Sequence, residues 1–287
     1  MMQQSESTLK PHSSGFPEDF PLDTHKNHIT MLGTGNAHAT RCYNTCFTLC
    51  SSGGSVLMVD AGGGNGILAQ MEKAHLEHAD FHDIFVTHAH TDHLLGVVWV
   101  IRMALEEKQP LRVWSHRKVL DLLKHICLQI LPSKEVAEIG NLVTMHQLED
   151  GDRFDVGDLR LQCFDVRSTK ERQFGFTANL PDGQRLCCLG DEPCNPLCEQ
   201  YAEGADWLMS EAFCLYEDRE LFKPYEKHHS TVLDAARLAE RLHVGHLILY
   251  HTEDKTLENR KERYTAEAKT AFSGAVWVPD DLERITL

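Results

Sequence analysis

Positive charge is scarce in this chain. Lysine and arginine number 28 against 43 aspartates and glutamates over 287 residues, a formal net charge of −15. A polyanion such as tRNA or DNA would be repelled by that average field, and no basic run or Gly- and Lys-rich insertion offsets it. Long apolar runs are also missing: none approaches the length of a membrane span, so no membrane partner is expected. The opening residues Met1 to Ser7 are polar, and a secretory signal is not expected. The ten cysteines form no paired Cys-x-x-Cys units and read as reduced thiols of a cytoplasmic protein. Cys187, Cys188, Cys194 and Cys198 crowd together, but their spacing makes a zinc site there only a minor expectation. Beyond the N-terminus there is no linker or low-complexity run.

What is present is ordinary for a soluble globular chain, 42% hydrophobic and 25% charged, and long enough to bury a core without disulfides. Residues 1–27 lack apolar periodicity and read as a tail or edge extension, leaving residues 28–287 as one domain. Short apolar strands are expected at 28–32, 45–49, 55–60, 83–87 and 111–115. More follow at 142–147, 159–166, 174–180, 185–189, 206–210 and 246–250. Helical spacing marks 66–78, 92–105, 118–131, 231–242 and 257–272. A β-rich pattern with helices, given twice, suits an α+β fold: two sheets face to face with helices outside, a four-layer αββα sandwich.

The strongest chemical signal is His88-Ala89-His90-Thr91-Asp92-His93, after an expected strand and before an expected helix. A loop there turns His88, His90, Asp92 and His93 into one hollow. Imidazole and carboxylate are ligand types for zinc, manganese or iron, and a structural turn has no use for this combination. Asp191 and His251 each follow an apolar strand and lie at its C-terminal edge. A carboxylate such as Asp191 can bridge two cations because it has two oxygens. His228 and His229 precede a helix that Ser230 could cap.

This segment resembles the His-x-His-x-Asp-His signature of metallo-β-lactamase-fold hydrolases, nearest to the branch of ribonuclease Z and related phosphodiesterases. The resemblance runs from about His28 to Leu287. Leu32-Gly33-Thr34-Gly35 is similar to that branch's first-strand motif. The resemblance implies that Asp60 supports the metal loop from behind, that Asp191 in Gly190-Asp191 bridges two metals, and that His251 is the last metal-binding histidine. It also implies that Glu211 orients the histidine of His229-Ser230-Thr231. Zn2+ is the expected cofactor, as one or two ions, with Mn2+ or Fe2+ as alternatives.

Two departures matter. The resemblance implies a further histidine on the strand before the Asp191 hairpin, where Phe164-Asp165-Val166-Arg167 stands instead, and no histidine occurs from Gln147 to Lys227. Arginine has no free lone pair and cannot ligate a cation. The first ion would keep His88, His90 and Asp191; the second would keep Asp92, His93, Asp191 and His251. Three outcomes stay open: the first site fills with water in the vacancy, it stays empty with one ion in the second site, or Arg167 reaches an anionic group of the substrate. In addition, the long basic arm with which ribonuclease Z enzymes clamp tRNA has no room between Arg167 and Asp191, so tRNA is not the expected substrate.

The reading that follows is a metal-dependent hydrolase acting on a small phosphodiester, with His229 as general acid held by Glu211 and Arg167 stabilising developing charge. Thioester, lactone or β-lactam hydrolysis is the rival within enzymes. The rival outside them is a metal-binding or ligand-sensing protein with little turnover, because of Arg167. A homodimer is left open.

Overall fold

The structure is a computed structural model that describes residues 26–287. The tail expected over residues 1–27 lies outside the described residues except for Lys26 and Asn27. The first half of the described chain forms β1 (His28–Gly33), β2 (Cys46–Cys50), β3 (Val56–Val59), β4 (Asp83–Phe85), β5 (Leu111–Ser115) and β6 (Val143–Gln147). Its helices are α1 (Gly66–Lys73), α2 (Thr91–Glu107), α3 (Arg117–Ile130) and α4 (Ser133–Val136). The second half forms β7 (Arg153–Val156), β8 (Leu159–Asp165), β9 (Phe174–Asn179), β10 (Arg185–Cys188), β11 (Trp207–Glu211), β12 (His246–Tyr250), β13 (Ala275–Trp277) and β14 (Arg284–Thr286). With them go α5 (Glu199–Ala202), α6 (Arg219–Phe222), α7 (Val232–Arg241) and α8 (Leu257–Ala268).

Two seven-stranded sheets result, in the orders β14-β1-β2-β3-β4-β5-β6 and β13-β12-β11-β10-β9-β8-β7. Each is antiparallel in one half and parallel in the other. Direct connections join the antiparallel strands that are consecutive in the chain, β14 instead returning to β1 from the far end, and parallel pairs need the longer crossovers that carry helices.

The burial pattern explains the layering. Alternate residues of one strand face opposite ways, and here both faces are covered. Met209 and Trp207 of β11, Ile248 and Tyr250 of β12, and Leu57 and Val59 of β3 point into the core between the sheets. Leu208, Leu247 and Leu249 point outward, against Val232, Ala235, Ala236 and Ala239 of α7. On the other side, Met58 and Ile84 meet Leu94, Val97, Ile101 and Leu105 of α2. The outcome is the expected four-layer αββα sandwich.

The same alternation removes the minor cysteine expectation. Cys188 faces the inner core, while Cys187, Cys194 and Cys198 lie at the outer one, and among the described residues no cysteine joins a group of three ligand atoms within 4.8 Å of one another. All ten cysteines are free. Three strands escaped the sequence reading: β7, β13 and β14 are only three or four residues long, too short for periodicity to register. The start of α7 also needs correction. Its cap is Thr231, in a capping box with Asp234, rather than Ser230.

Candidate metal centre

The parallel halves of the two sheets end at one rim, and the candidate residues sit just past those strand ends, where open α/β sheets place their ligands. Asp60 follows β3, the 88–93 loop follows β4, Asp191 follows β10, Glu211 ends β11 and His251 follows β12. Asp60 and His251 have φ of 53° and 57°, in the left-handed region, and Gly190 has φ of 81°. Non-glycine residues rarely adopt this region, and it recurs at functional sites because it re-aims a side chain sharply. Here it directs the carboxylate and the imidazole into the rim.

Asp60 holds the loop from beneath. Its Oδ1 accepts from the Thr87 backbone N–H at 2.8 Å, and its Oδ2 accepts from the Thr87 hydroxyl at 2.7 Å and from His93 Nδ1 at 2.7 Å. With Nδ1 donating to Asp60, His93 turns Nε2 into the hollow, where it offers a lone pair once its proton is lost. His88 Nδ1 is likewise tied to the Thr87 hydroxyl at 2.9 Å, and its Nε2 lies 2.8 Å from His90 Nδ1. His90 caps α2, placing Asp92 and His93 in its first turn, where a carboxylate also suits the helix dipole.

Asp191 Oδ2 is the hub. It lies 3.6 Å from His88 Nε2, 3.7 Å from His93 Nε2 and 3.6 Å from His251 Nε2. Asp92 Oδ2 lies 3.4 Å from His93 Nε2 and 3.6 Å from His251 Nε2. His88, His93, Asp92, Asp191 and His251 are all buried; His90 is half-buried. Burial pushes His88 well below the ordinary imidazole pKa. Burial opposes charge on His93 as well, but Asp92 and Asp60 outweigh it and raise its pKa. Asp92 and Asp191 are held well below the carboxylate range; burial works against their charge and the surrounding histidines prevail.

His229 is placed differently from expectation. Its Nδ1 donates to the Asp191 carbonyl oxygen at 2.9 Å, whereas Glu211 Oε2 is 3.8 Å away. Glu211 instead accepts from the Ser230 N–H at 2.5 Å, while the Ser230 hydroxyl donates to the Glu211 carbonyl. Glu211 thus fixes the turn that carries His229, and Asp191 orients the ring. Burial, with His251 adding to it, pushes His229 down to about 3. The ring is therefore neutral at rest. Phe213 stacks on it at 4.9 Å between centroids.

Arg167 requires a correction. Its backbone is left-handed, with φ of 61°, its N–H donates to Asp165, and its half-exposed guanidinium pairs with Asp150 at 2.6 Å. The turn after β8 throws the side chain outward, and it does not line the cleft. The residue of this segment that reaches the donors is Gln173, which the sequence reading passed over.

The donors open into a cleft of about 400 Å³ lined by Asn36, His38, His90, Asp92, Asp191, Phe213, His229 and His251, with Lys170 and Lys227 among its walls. Lys170 Nζ lies 3.3 Å from Glu192 and donates to the Lys227 carbonyl; Lys227 Nζ lies 4.8 Å from the Phe213 ring centroid. Both lysines were missed as isolated charges, although Lys227 directly precedes His228-His229.

These residues fit divalent transition ions. Sets of His88, His93 and Asp191, and of Asp92, His93 and His251, bring their ligand atoms within 4.8 Å of one another. The Nε2 atoms of His93 and His251 are buried without a hydrogen-bond partner. Orphaned imidazole nitrogens aimed at shared carboxylate oxygens are what a cation would satisfy.

Comparison with known proteins places the chain further. The family model described as Anti-Pycsar protein Apyc1 matches residues 27–272. Ribonuclease Z of Mycobacterium bovis is 27% identical over 286 residues, spanning 90% of this chain and 97% of that protein. The metallo-β-lactamase fold protein YhfI from Bacillus subtilis superposes with a TM-score of 0.72 at 16% identity, covering 91% of this chain and 99% of that one. The short form of human tRNase Z gives a TM-score of 0.69 at 20% identity, covering 90% and 98%. The architecture is the metallo-β-lactamase fold.

Proposed function

This chain belongs to the family described as Anti-Pycsar protein Apyc1, and from that membership and the geometry of its centre we propose that it is a metal-dependent hydrolase of small phosphodiesters. The observation that carries the reading is a buried His/Asp donor cluster at the floor of a cleft whose walls hold two lysines. His88, His90 and Asp191 would hold one ion and Asp92, His93, Asp191 and His251 a second. Zinc suits this donor set best, and manganese or iron(II) would also be accepted. Such ions supply a water of lowered pKa and polarise a phosphoryl oxygen.

The chain's own groups do the rest. Lys170 and Lys227 hold the non-bridging phosphate oxygens and bring an anionic substrate into a protein of net charge −15. His229, neutral and with Nδ1–H committed to the Asp191 carbonyl, takes the proton of the attacking water at Nε2 and returns it to the leaving oxygen. Asp60 and Glu211 hold the loop and the turn that set these positions. The Asp150 ion pair turns Arg167 away from the cleft, and turnover by metal-loaded protein is what separates the hydrolase from a merely ligand-sensing protein. Small substrates are preferred over tRNA because of the acidic surface and because the β9–β10 hairpin closes tightly, Leu180 N–H to Gln184 carbonyl, without an arm. The ten free thiols suit a reducing cytoplasm.

The test is turnover by metal-loaded protein of bis(p-nitrophenyl) phosphate against a thioester and a lactone of similar size. Chelator-sensitive phosphodiester cleavage supports the reading. Cleavage of the thioester or lactone alone moves the protein to the rival chemistry.

A further inference from the structure

Gln173 has no part in the chemistry described so far, yet its side chain reaches the donor cluster from the segment in which the resemblance implies a histidine. It is almost wholly buried, 1% exposed. Its backbone is tied at two points: its carbonyl accepts from the Val166 N–H at 3.0 Å, and the next residue, Phe174, donates to the Thr87 carbonyl at 3.0 Å. One of these bonds fastens it to the end of β8 and the other to the root of the metal loop. Its side-chain amide nitrogen donates to Asp191 Oδ1 and lies 3.2 Å from His88 Nδ1. Room for the amide comes from Gly190, where a Cβ would stand 2.8 Å from Gln173 Nε2.

The two oxygens of Asp191 are thereby divided. Oδ1 is taken by the amide, and Oδ2 is left facing the Nε2 atoms of His88, His93 and His251 at 3.6 to 3.7 Å. Gln173 Oε1, in contrast, is buried with no partner. A buried orphan acceptor is unfavourable. A glutamine kept in this position only to fill space would be replaced by an apolar side chain without loss. The orphan is the consequence of keeping the N–H on the carboxylate.

We propose that Gln173 is a positioning residue for the bridging carboxylate: it pins Asp191 Oδ1, so that Oδ2 alone is shared by the two ion positions. It stands in for the missing histidine by orienting a ligand rather than by being one. This rests on the reading that the cluster holds metal. Freed of the amide, Asp191 would turn about its own side-chain bond, and ion affinity would fall, most at the first position, whose proposed donors are three, His88, His90 and Asp191.

The experiment is competitive zinc titration against a chromophoric chelator, with metal counted per chain, on Gln173→Met, which keeps length and removes the donor. Affinity should drop about ten- to a hundredfold, as when outer partners of metal ligands are lost. Gln173→His, whose ring N–H can serve Asp191, should recover most of the loss. Gln173→Asn, whose amide falls short of Asp191, is the second variant should Gln173→Met fold poorly, and should weaken binding likewise. A purely structural role would lower the melting temperature of the metal-free protein and leave affinity at low temperature untouched. That pattern, or unchanged affinity in a folded Met or Asn variant, overturns the proposal. If the wild-type protein takes up no zinc, the metal-dependent reading itself falls, and this proposal with it.

Discussion

Replacing Gly96 with alanine should damage the metal centre from a distance. Gly96 lies in α2, one turn beyond Asp92 and His93. A Cβ there would sit 1.8 Å from the Ala61 carbonyl oxygen and 2.5 Å from its carbon. Restoring ordinary contact means moving α2 outward by on the order of 1.5 Å. Two hydrogen bonds hold the helix at this closeness: Gly96 N–H to the Gly62 carbonyl at 2.8 Å, and Ala61 N–H to the His93 carbonyl at 3.1 Å. Overpacking costs about 1–3 kcal/mol, and each weakened hydrogen bond about 1 kcal/mol. A loss of about 3–5 kcal/mol is therefore expected, a large share of the stability of a typical domain. The shift also carries Asp92 and His93 away from Asp191 and His251, so zinc affinity should fall at least about tenfold. Urea unfolding of the metal-free protein and zinc titration at low temperature read the two effects separately. A Gly96→Ala protein within about 0.5 kcal/mol of wild type, or one destabilised but with unchanged affinity, would show that the close approach does not set the position of the donors.

The double variant His88→Ala/His90→Ala should lose bound metal and all hydrolysis; unchanged metal stoichiometry would contradict the assignment. His229→Ala should keep its metal and slow turnover by roughly a hundredfold, the scale of a lost proton-transfer group, with a smaller effect on esters of good leaving groups. Loss of metal in that variant would make His229 a ligand. Arg167→Ala should change neither metal content nor turnover and should cost no more than about 1 kcal/mol, because its partner pair is solvated; a marked rise in KM would return Arg167 to the substrate. Zinc affinity should fall as pH falls, because His93, raised by Asp92 and Asp60 against its burial, must lose a proton on binding. Titration calorimetry in buffers of different ionisation enthalpy reads that proton release directly.

The sequence made much of this legible where chemistry and periodicity coincide. The 88–93 loop crowds four donors into six positions, and its outline needs no tertiary information. Asp191 and His251 were legible because each follows an apolar run buried on both faces, which marks a central strand whose end is fixed. Arg167 misled because position along a strand predicts a side chain's direction only while the strand lasts; β8 ends at Asp165, and the left-handed turn at Arg167 reverses the aim. Gln173 was silent because glutamine is common on surfaces, and only the placing of Gly190 and Asp191 beside it gives its amide a purpose. Glu211 was expected to orient the His229 ring but holds the Ser230 N–H instead, because which atom it meets depends on a backbone bend that no spacing records.

The pairing of β14 with β1 has a consequence for the order in which the molecule can form. Arg284 pairs with Thr30 there and its guanidinium reaches the His28 ring, 256 residues away, while β13, immediately before, belongs to the opposite sheet. Asp281 helps to seal the crossing by accepting from the N–H groups of Thr34 and Tyr43. During synthesis from the N-terminus, the first sheet therefore has its strands and helices early but keeps one edge of β1 bare until the second sheet is nearly complete. Contacts of such long separation are slow to find, and a bare strand edge invites pairing with other chains in the interval. Folding of the first sheet should thus wait until β14 has been made, and truncation before β14 should yield aggregates rather than a smaller folded unit.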